Sequence, residues 1–288
     1  MHIYVSVREN AKICCPKCSG ETKRYGYEKK ERTWQHGNVF FVYPCYVHCR
    51  RPKVLCPNCG SQQVSAPFER KNSRQTLLFE GIAMLLVKDC PVSTVASHMG
   101  CNEKTIVKIM KYWVNKARDN ETFEDIRNLA IDETSFRKGH DHVSLIIDAD
   151  QRSVKDVEKG RDGGVIDRFA LYLAEKSGYP DKIEGVTSDL SRSFLPAIER
   201  YFPKAEHTID KFHIKKMLND AQTLINHKKR IINYFRNRLT NAICEGINSM
   251  IQTAKRKARG YRTFDGYATM SYIVAGKLDI DDPFALPV

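Results

Sequence analysis

The sequence predicts an α+β protein built from three successive parts, and three observations carry that reading. Seven of its ten cysteines lie between Cys14 and Cys59, in a stretch rich in Gly, Pro and alternating aromatics. Residues 71–118 then change to apolar residues at helical spacing. From about Asn128, short apolar strands alternate with helical runs, the pattern of a sheet covered by helices. The boundaries drawn from these changes are 1–68, 69–120 and 121–288.

Within the first part, "NVFFVYPCYVHC" reads as a strand, alternating around Val39, Phe41 and Tyr43. In the second, Leu77, Leu78, Ile82, Leu85 and Leu86 fall at helical spacing, and a further periodic run follows from Glu103 to Ala117. In the third, "LAID" and "HVSLIIDA" are short strands and "SVKDVEKG" is a weaker one. Residues 163–176 are helical, "KIEGVTSDL" is a buried strand, and 192–201 are helical. "AEHTIDKFH" is a strand turning into a helix, 213–257 are mostly helical, and the tail "DDPFALPV" is loose.

Lys and Arg number 47 against 34 acids, a net charge of +13, which calls for a polyanionic partner, most simply nucleic acid. Hydrophobic residues make up 42% of the chain, enough for a packed core, but no run of about 18 apolar residues would span a bilayer. The first nine residues lack a signal-peptide core. The expected compartment is therefore the cytoplasm, where clustered cysteines favour metal over disulfides.

Cys15-Pro-Lys-Cys18 and Cys56-Pro-Asn-Cys59 are matching tight turns, each aiming two thiolates at one point. Two such turns make the tetrahedral sulfur cage that a structural zinc ion prefers. The 37 residues between them suit a zinc ribbon, with a hairpin separating the two turns. Cys14, Cys45, His48 and Cys49 remain open as alternative ligands. Arg50, Arg51 and Lys53, just before the second turn, are placed to meet phosphates.

"PVSTVASHMGCNEKTIVKIMKYW" has the layout of a helix-turn-helix. Val92–His98 is the first helix, Gly100 allows the turn, and Asn102 caps a second helix starting at Glu103. Val95, Ala96, Ile106, Val107 and Ile109 supply its core, while Lys104, Lys108 and Lys111 share one side for DNA.

Three acids stand out. Asp132 ends "LAID", Asp189 ends "GVTSD", and Glu245 lies in the helical stretch "TNAICEGINSMIQ". Two carboxylates at neighbouring strand ends, joined by one from a helix, can hold two divalent metals for phosphodiester chemistry. Strand alternation turns Glu133 to the opposite side from Asp132. The apolar face Ile243, Ile247, Met250 and Ile251 would dock the Glu245 helix on the sheet. Beyond it, Lys255, Arg256, Lys257, Arg259 and Arg262 form a basic stretch for the DNA backbone.

These blocks, together with "LAIDETSFRKGHDHVSLIID", "FPKAEHTIDKFHIKK" and "RIINYFRNRLTNAICEGINSMIQTAKRKARGYRTFDGY", resemble the insertion-sequence transposases of the ISL3 group over nearly the whole chain. The resemblance implies an RNase-H-like catalytic domain with a mixed five-stranded sheet, a DDE site of Asp132, Asp189 and Glu245 loaded with Mg²⁺ or Mn²⁺, and double-stranded DNA as substrate, bound as a homodimer. One departure stands beside it. Asp189 and Glu245 are only 56 positions apart, where family members carry a longer helical insertion, as if a block near 221–230 had been removed. The expected activity is therefore DNA cleavage and strand transfer at element ends. The competing readings are a decayed relative that only binds DNA and a nuclease or resolvase that only cuts.

Overall fold

The computed structural model describes residues 1–9, 11–39, 43–137, 142–188, 194–209, 225, 227–237 and 242–280. Asp189, residues 40–42, the helix expected from Phe212, the junction near 221–224 and the tail from 281 lie outside the described residues. Two compact units are present, one built on Met1–Met110 and the other on Lys111–Asp279.

The first unit begins with two small sheets. Strands β1 (His2–Val5), β4 (Arg32–Val39) and β5 (Tyr43–Cys49) form one, in the order β1-β5-β4. The stretch expected as one strand is thus divided between β4 and β5, antiparallel partners in which Val39 pairs with Tyr43. Trp34, Cys45, Val47 and Cys49 all point to one face of this sheet and are buried. Strands β2 (Ile13–Cys14), β3 (Glu21–Tyr27), β6 (Pro52–Cys56) and β7 (Gly60–Gln63) form the second sheet, all antiparallel.

Helices α1 (Leu77–Val87), α2 (Val92–His98) and α3 (Glu103–Asn120) follow. Thr76 caps α1, its hydroxyl accepting from the Phe79 N–H. The buried side of α1 is Phe79, Glu80, Ala83, Met84 and Val87, whereas Leu78 and Leu85 are exposed. That face differs from the leucine stripe because the helix is apolar on nearly every side, and periodicity then fixes no direction. The deciding contact is polar: fully buried Glu80 receives Arg70 through two nitrogens at 2.8 Å and the Ser73 hydroxyl at 2.7 Å.

Leaving that carboxylate buried without its guanidinium is costly. Arg70→Ala should lower the unfolding free energy of the first unit by about 3–5 kcal/mol in urea denaturation. An R70M/E80L pair, which removes both charges, should recover most of the loss. Equal losses in the single and the double variant would show that packing, not charge, holds α1.

The second unit is a five-stranded sheet in the order β10-β9-β8-β11-β12, the mixed sheet expected from sequence. Its strands are β8 (Asn128–Ser135), β9 (His142–Asp148), β10 (Ser153–Lys159), β11 (Gly185–Ser188) and β12 (Glu206–Ile209). The first three are antiparallel; β8, β11 and β12 are parallel. Helices α4 (Gly163–Glu175) and α5 (Leu195–Tyr201) cover one face through Phe169, Leu173, Phe194 and Ile198 against Leu129, Ile131 and Val186. Helices α7 (Ala242–Lys257) and α8 (Phe264–Ala275) cover the other through Cys244, Ile247, Ile251 and Tyr267 against Ala130, Leu145 and Ile147. Between these, α6 (Lys228–Asn237) packs on β12, where Asn233 donates to the His207 carbonyl at 3.0 Å.

Helix α3 is locked to this sheet at its C-terminal end. The Arg118 guanidinium lies 4.0 Å from the Tyr272 ring centroid and 5.1 Å from that of Tyr172. It also donates to Asp156 at 3.0 Å, and the Tyr272 hydroxyl donates to the same carboxylate oxygen.

Candidate functional site

Both cysteine turns are hairpin tips of one sheet. Cys15–Cys18 joins β2 to β3, and Cys56–Cys59 joins β6 to β7. Because β3 and β6 pair antiparallel, with Lys23 opposite Leu55, the two tips come together at one end. Left-handed Ser19 (φ 56°) and Gly60 (φ 70°) close the turns. The four sulfurs all lie within 4.8 Å of one another, and Cys18 and Cys56 are 3.6 Å apart. A tetrahedral zinc–thiolate cage requires edges of about 3.8 Å. Backbone N–H groups of Cys18 and Lys17 pull the Cys15 thiol down to about 7. The hydrogen bond to Cys18, then burial, push Cys59 up to about 12.

No other group of this kind occurs among the described residues. Cys45 and Cys49 are buried within β5, and Cys14 is exposed. His48 is 2.7 Å from His2 and 3.1 Å from the Thr33 hydroxyl. The four expected cysteines therefore make up the set, and none of the four alternatives joins it. Arg51 departs from its expected role: Glu28 holds it at 2.9 Å and Glu69 at 3.3 Å, so it serves the fold rather than a phosphate. Arg50 is exposed and Lys53 half-buried.

The helix-turn-helix is built as its sequence indicates. Asn102 Oδ1 accepts from the Thr105 N–H at 2.9 Å, and Gly100 takes a left-handed φ of 63°. Val95, Ala96, Ile106 and Ile109 are buried; Val107 is only half-buried, and Met99 and Met110 complete the core. Lys104 and Lys108 are exposed. Lys111 departs from them, being half-buried and 3.2 Å from Asp265 of α8.

In the second unit, Asp132 lies on the face of β8 that α7 covers. Three consecutive turns of α7 bond to that strand. Asn248 donates its amide to Asp132 Oδ2, Gln252 donates to the Thr134 hydroxyl at 2.9 Å, and Lys255 donates to the Ser135 carbonyl at 2.6 Å. Glu245 precedes Asn248 by three residues, on the same helical stripe and in the first turn, where the helix dipole favours an acid. It is exposed, and Asp132 is half-buried. Asn248 Oδ1 is buried with no hydrogen-bond partner among the described residues. Burial, and to a lesser degree the charge of Asp132, push the nearby Tyr267 phenol up to about 12, so it stays neutral there.

Asp189 lies outside the described residues. Ser188, just before it, ends β11 and pairs in parallel with Ile131, just before Asp132. The apolar face of α7 is Cys244, Ile247 and Ile251; Met250, expected there, is 46% exposed, and Ile243 is half-buried. Lys255 is turned into the protein by the Ser135 carbonyl, while Arg256, Lys257, Arg259 and Arg262 are exposed. Asn248 is not marked out by the sequence. Its only signal is its i+3 spacing from Glu245.

Ser188 also meets a buried histidine. Its hydroxyl lies 2.9 Å from His207 Nε2. Burial first, then the Arg230 and His227 charges, push His207 down to about 4 from 6.5. The unfolded chain thus takes up a proton that the folded chain refuses. Stability from this group is full above about pH 6.5 and falls as pH drops to about 4, by about 3 kcal/mol. Urea denaturation across that window should show the loss, and His207→Gln should flatten it. An unchanged slope in the variant would assign it to other groups.

Comparison with known proteins gives a consistent set. The ISL3 family model described as "Transposase" matches residues 129–223 and 220–271, two pieces that meet at 220–223. A model described as "Helix-turn-helix domain of transposase family ISL3" matches residues 64–114. The transposase for insertion sequence element IS1557 of Mycobacterium tuberculosis is 22% identical over 209 residues, 72% of this chain and 46% of that protein. The transposase for IS1001 of Bordetella parapertussis is 23% identical over 214 residues, 74% of this chain and 52% of that protein. The chain thus spans about half the length of the curated relatives it matches.

Proposed function

The chain belongs to the ISL3 family of insertion-sequence transposases, and on that footing we propose that it cuts and joins DNA at the ends of such an element, using Asp132, Asp189 and Glu245 with Mg²⁺ or Mn²⁺. The observation that carries this reading is the docking of α7 along β8, which sets the Glu245 helix against Asp132 through Asn248. A half-buried carboxylate beside an unpartnered buried amide oxygen suits a hydrated divalent cation. Such ions supply Lewis acidity and a water or 3′-hydroxyl of lowered pKa. The protein's part is to hold Asp132 in one orientation through the Asn248 amide and to keep Glu245 on the stripe facing that strand.

The zinc ribbon, the helix-turn-helix and the exposed cations at Arg50, Lys104, Lys108, Arg256, Lys257, Arg259 and Arg262 bind the double-stranded element ends, as a homodimer in the bacterial cytoplasm. Zinc in the Cys15, Cys18, Cys56 and Cys59 set is structural, because four thiolates leave no open position. No helix among the described residues is long and apolar enough to cross a membrane. The two-piece family match meeting at 220–223 supports an internal shortening at that junction. That shortening is the observation behind a second reading, a DNA-binding protein that has lost strand transfer.

The deciding experiment incubates the purified chain with DNA flanking its own reading frame, with Mg²⁺ or Mn²⁺. Metal-dependent nicks and joined products establish the transposase. Retention of duplex without either product establishes the binding protein. In the same material, Lys104→Ala or Lys108→Ala should weaken duplex binding, and parental affinity should fall steeply with salt. A flat affinity between about 50 and 200 mM salt removes the DNA interface from the reading.

A further inference from the structure

We infer that a basic pocket in the second unit, at the β8 end just past Asp132, grips the phosphodiester backbone of the DNA strand leaving the Asp132 site. This rests on the DNA reading above and adds a contact region to it. The pocket is a cavity of about 570 Å³ where the end of β8, the start of β9, the end of β10 and the approach to α8 meet. Among the described residues that line it, the cations are Arg137, Lys159, Arg161 and Arg262, and the one acid is Asp162.

Arg137, Lys159 and Arg262 are like charges around one cavity that repel each other, and an anion bound among them offsets that cost. Glu158, the next acid along β10, is already engaged by Arg168 at 2.7 Å. Among the described residues, none of Arg137, Lys159 and Arg262 is ion-paired. Two of the cations are held in place by aromatic rings. The Lys159 ammonium lies 4.8 Å from the Phe264 centroid, and the Arg137 guanidinium 4.9 Å from that of Phe136. Arg137 also donates to the Arg262 carbonyl, which ties two walls together.

That arrangement selects the ligand. The cations already occupy faces of both rings, so the pocket offers charge rather than a stacking platform, and a phosphate backbone suits it better than a base. Position selects the strand. Ser135, where β8 ends, is about 10 Å along the strand from Asp132. Lys255 of α7 holds the Ser135 carbonyl, so the pocket is fixed to the helix that carries Glu245.

The test uses the full chain with zinc bound and a mixed-sequence duplex. Lys159 and Arg161 are exposed, so a K159E/R161E variant should fold as the parent does. Its plot of log affinity against log salt should be shallower by roughly 2, about 0.9 for each phosphate the variant leaves without a cation. In the parent, duplex should shield Lys159 from acetylation, read by mass spectrometry. An unchanged slope with Lys159 as reactive as in free protein, while Lys104→Ala still weakens binding, overturns the pocket and leaves the DNA reading standing. A parent that binds no duplex overturns both. Shielding by inorganic phosphate at the same phosphate concentration as the duplex overturns the strand assignment and leaves a small-anion site.

Discussion

Chelating zinc, or replacing Cys56 with serine, should unfold the β2-β3-β6-β7 sheet while the β1-β5-β4 sheet persists. The difference lies in what each sheet buries. The first has Ile13, Val54 and the ring of Pro52 beyond its cysteines; β3 and β7 contribute no buried side chain. The second has Trp34, Cys45, Val47 and Cys49, all at 5% exposure or less. Burying two aliphatic side chains contributes about 3–6 kcal/mol, which with the proline ring stays below the ordering entropy of so many strand residues. Structural zinc contributes about 10–16 kcal/mol in zinc-finger peptides, enough to reverse that balance. Hydrogen exchange in EDTA should therefore deprotect residues 21–27 and 53–63 while leaving 43–49 slow. Metal analysis should find one zinc per chain in the parent and none in Cys56→Ser. A metal-free parent, or exchange indifferent to EDTA, would end the zinc reading.

The helix-turn-helix was readable nearly residue by residue because its signals are local. Asn102 caps three residues away, and Gly100 needs only its own φ. The cysteine site was readable for a similar reason, since each pair closes within one turn. Long-range partners were not. Lys111 looks like a DNA contact until Asp265, 154 residues on, takes its charge. Arg51 and Lys255 are drawn inward in the same way, by Glu28 and Glu69 and by the Ser135 carbonyl. Composition reports that a cation exists but not where its partner stands. The buried side of α1 was hidden for another reason: "LLFEGIAMLLV" is apolar almost all round, and the fixed point is a glutamate, which sequence reasoning assigns to water. Asn248 carries no charge and matches no metal-ligand pattern, so only the fold shows it at Asp132.

Asp132→Asn should weaken Mn²⁺ binding to the chain and lower cleavage of element ends by at least a factor of about 100. An error of about 1 Å in placing reacting groups already costs that much, and losing a ligand charge is a larger insult. Asn248→Ala tests the same site from the helix side. Asn248 does not itself need to touch the ion; it holds Asp132, so its loss should cost about 10–100-fold in metal affinity or activity. The apparent Mn²⁺ affinity, followed by the free-ion electron paramagnetic resonance signal, should fall in both variants. Raising the metal concentration should restore Asn248→Ala, whose carboxylates are intact, further than Asp132→Asn. Thermal stability and duplex affinity should stay near parental, because α7 keeps its packing through Ile247, Ile251 and Cys244. A merely structural Asn248 would do the reverse, lowering the melting temperature and leaving the metal titration in place. The metal readout also separates the site from the activity. A chain that binds Mn²⁺ through Asp132 yet joins no DNA would favour the DNA-binding reading over the transposase. A chain whose Mn²⁺ binding ignores both substitutions would remove Asp132 from the site altogether.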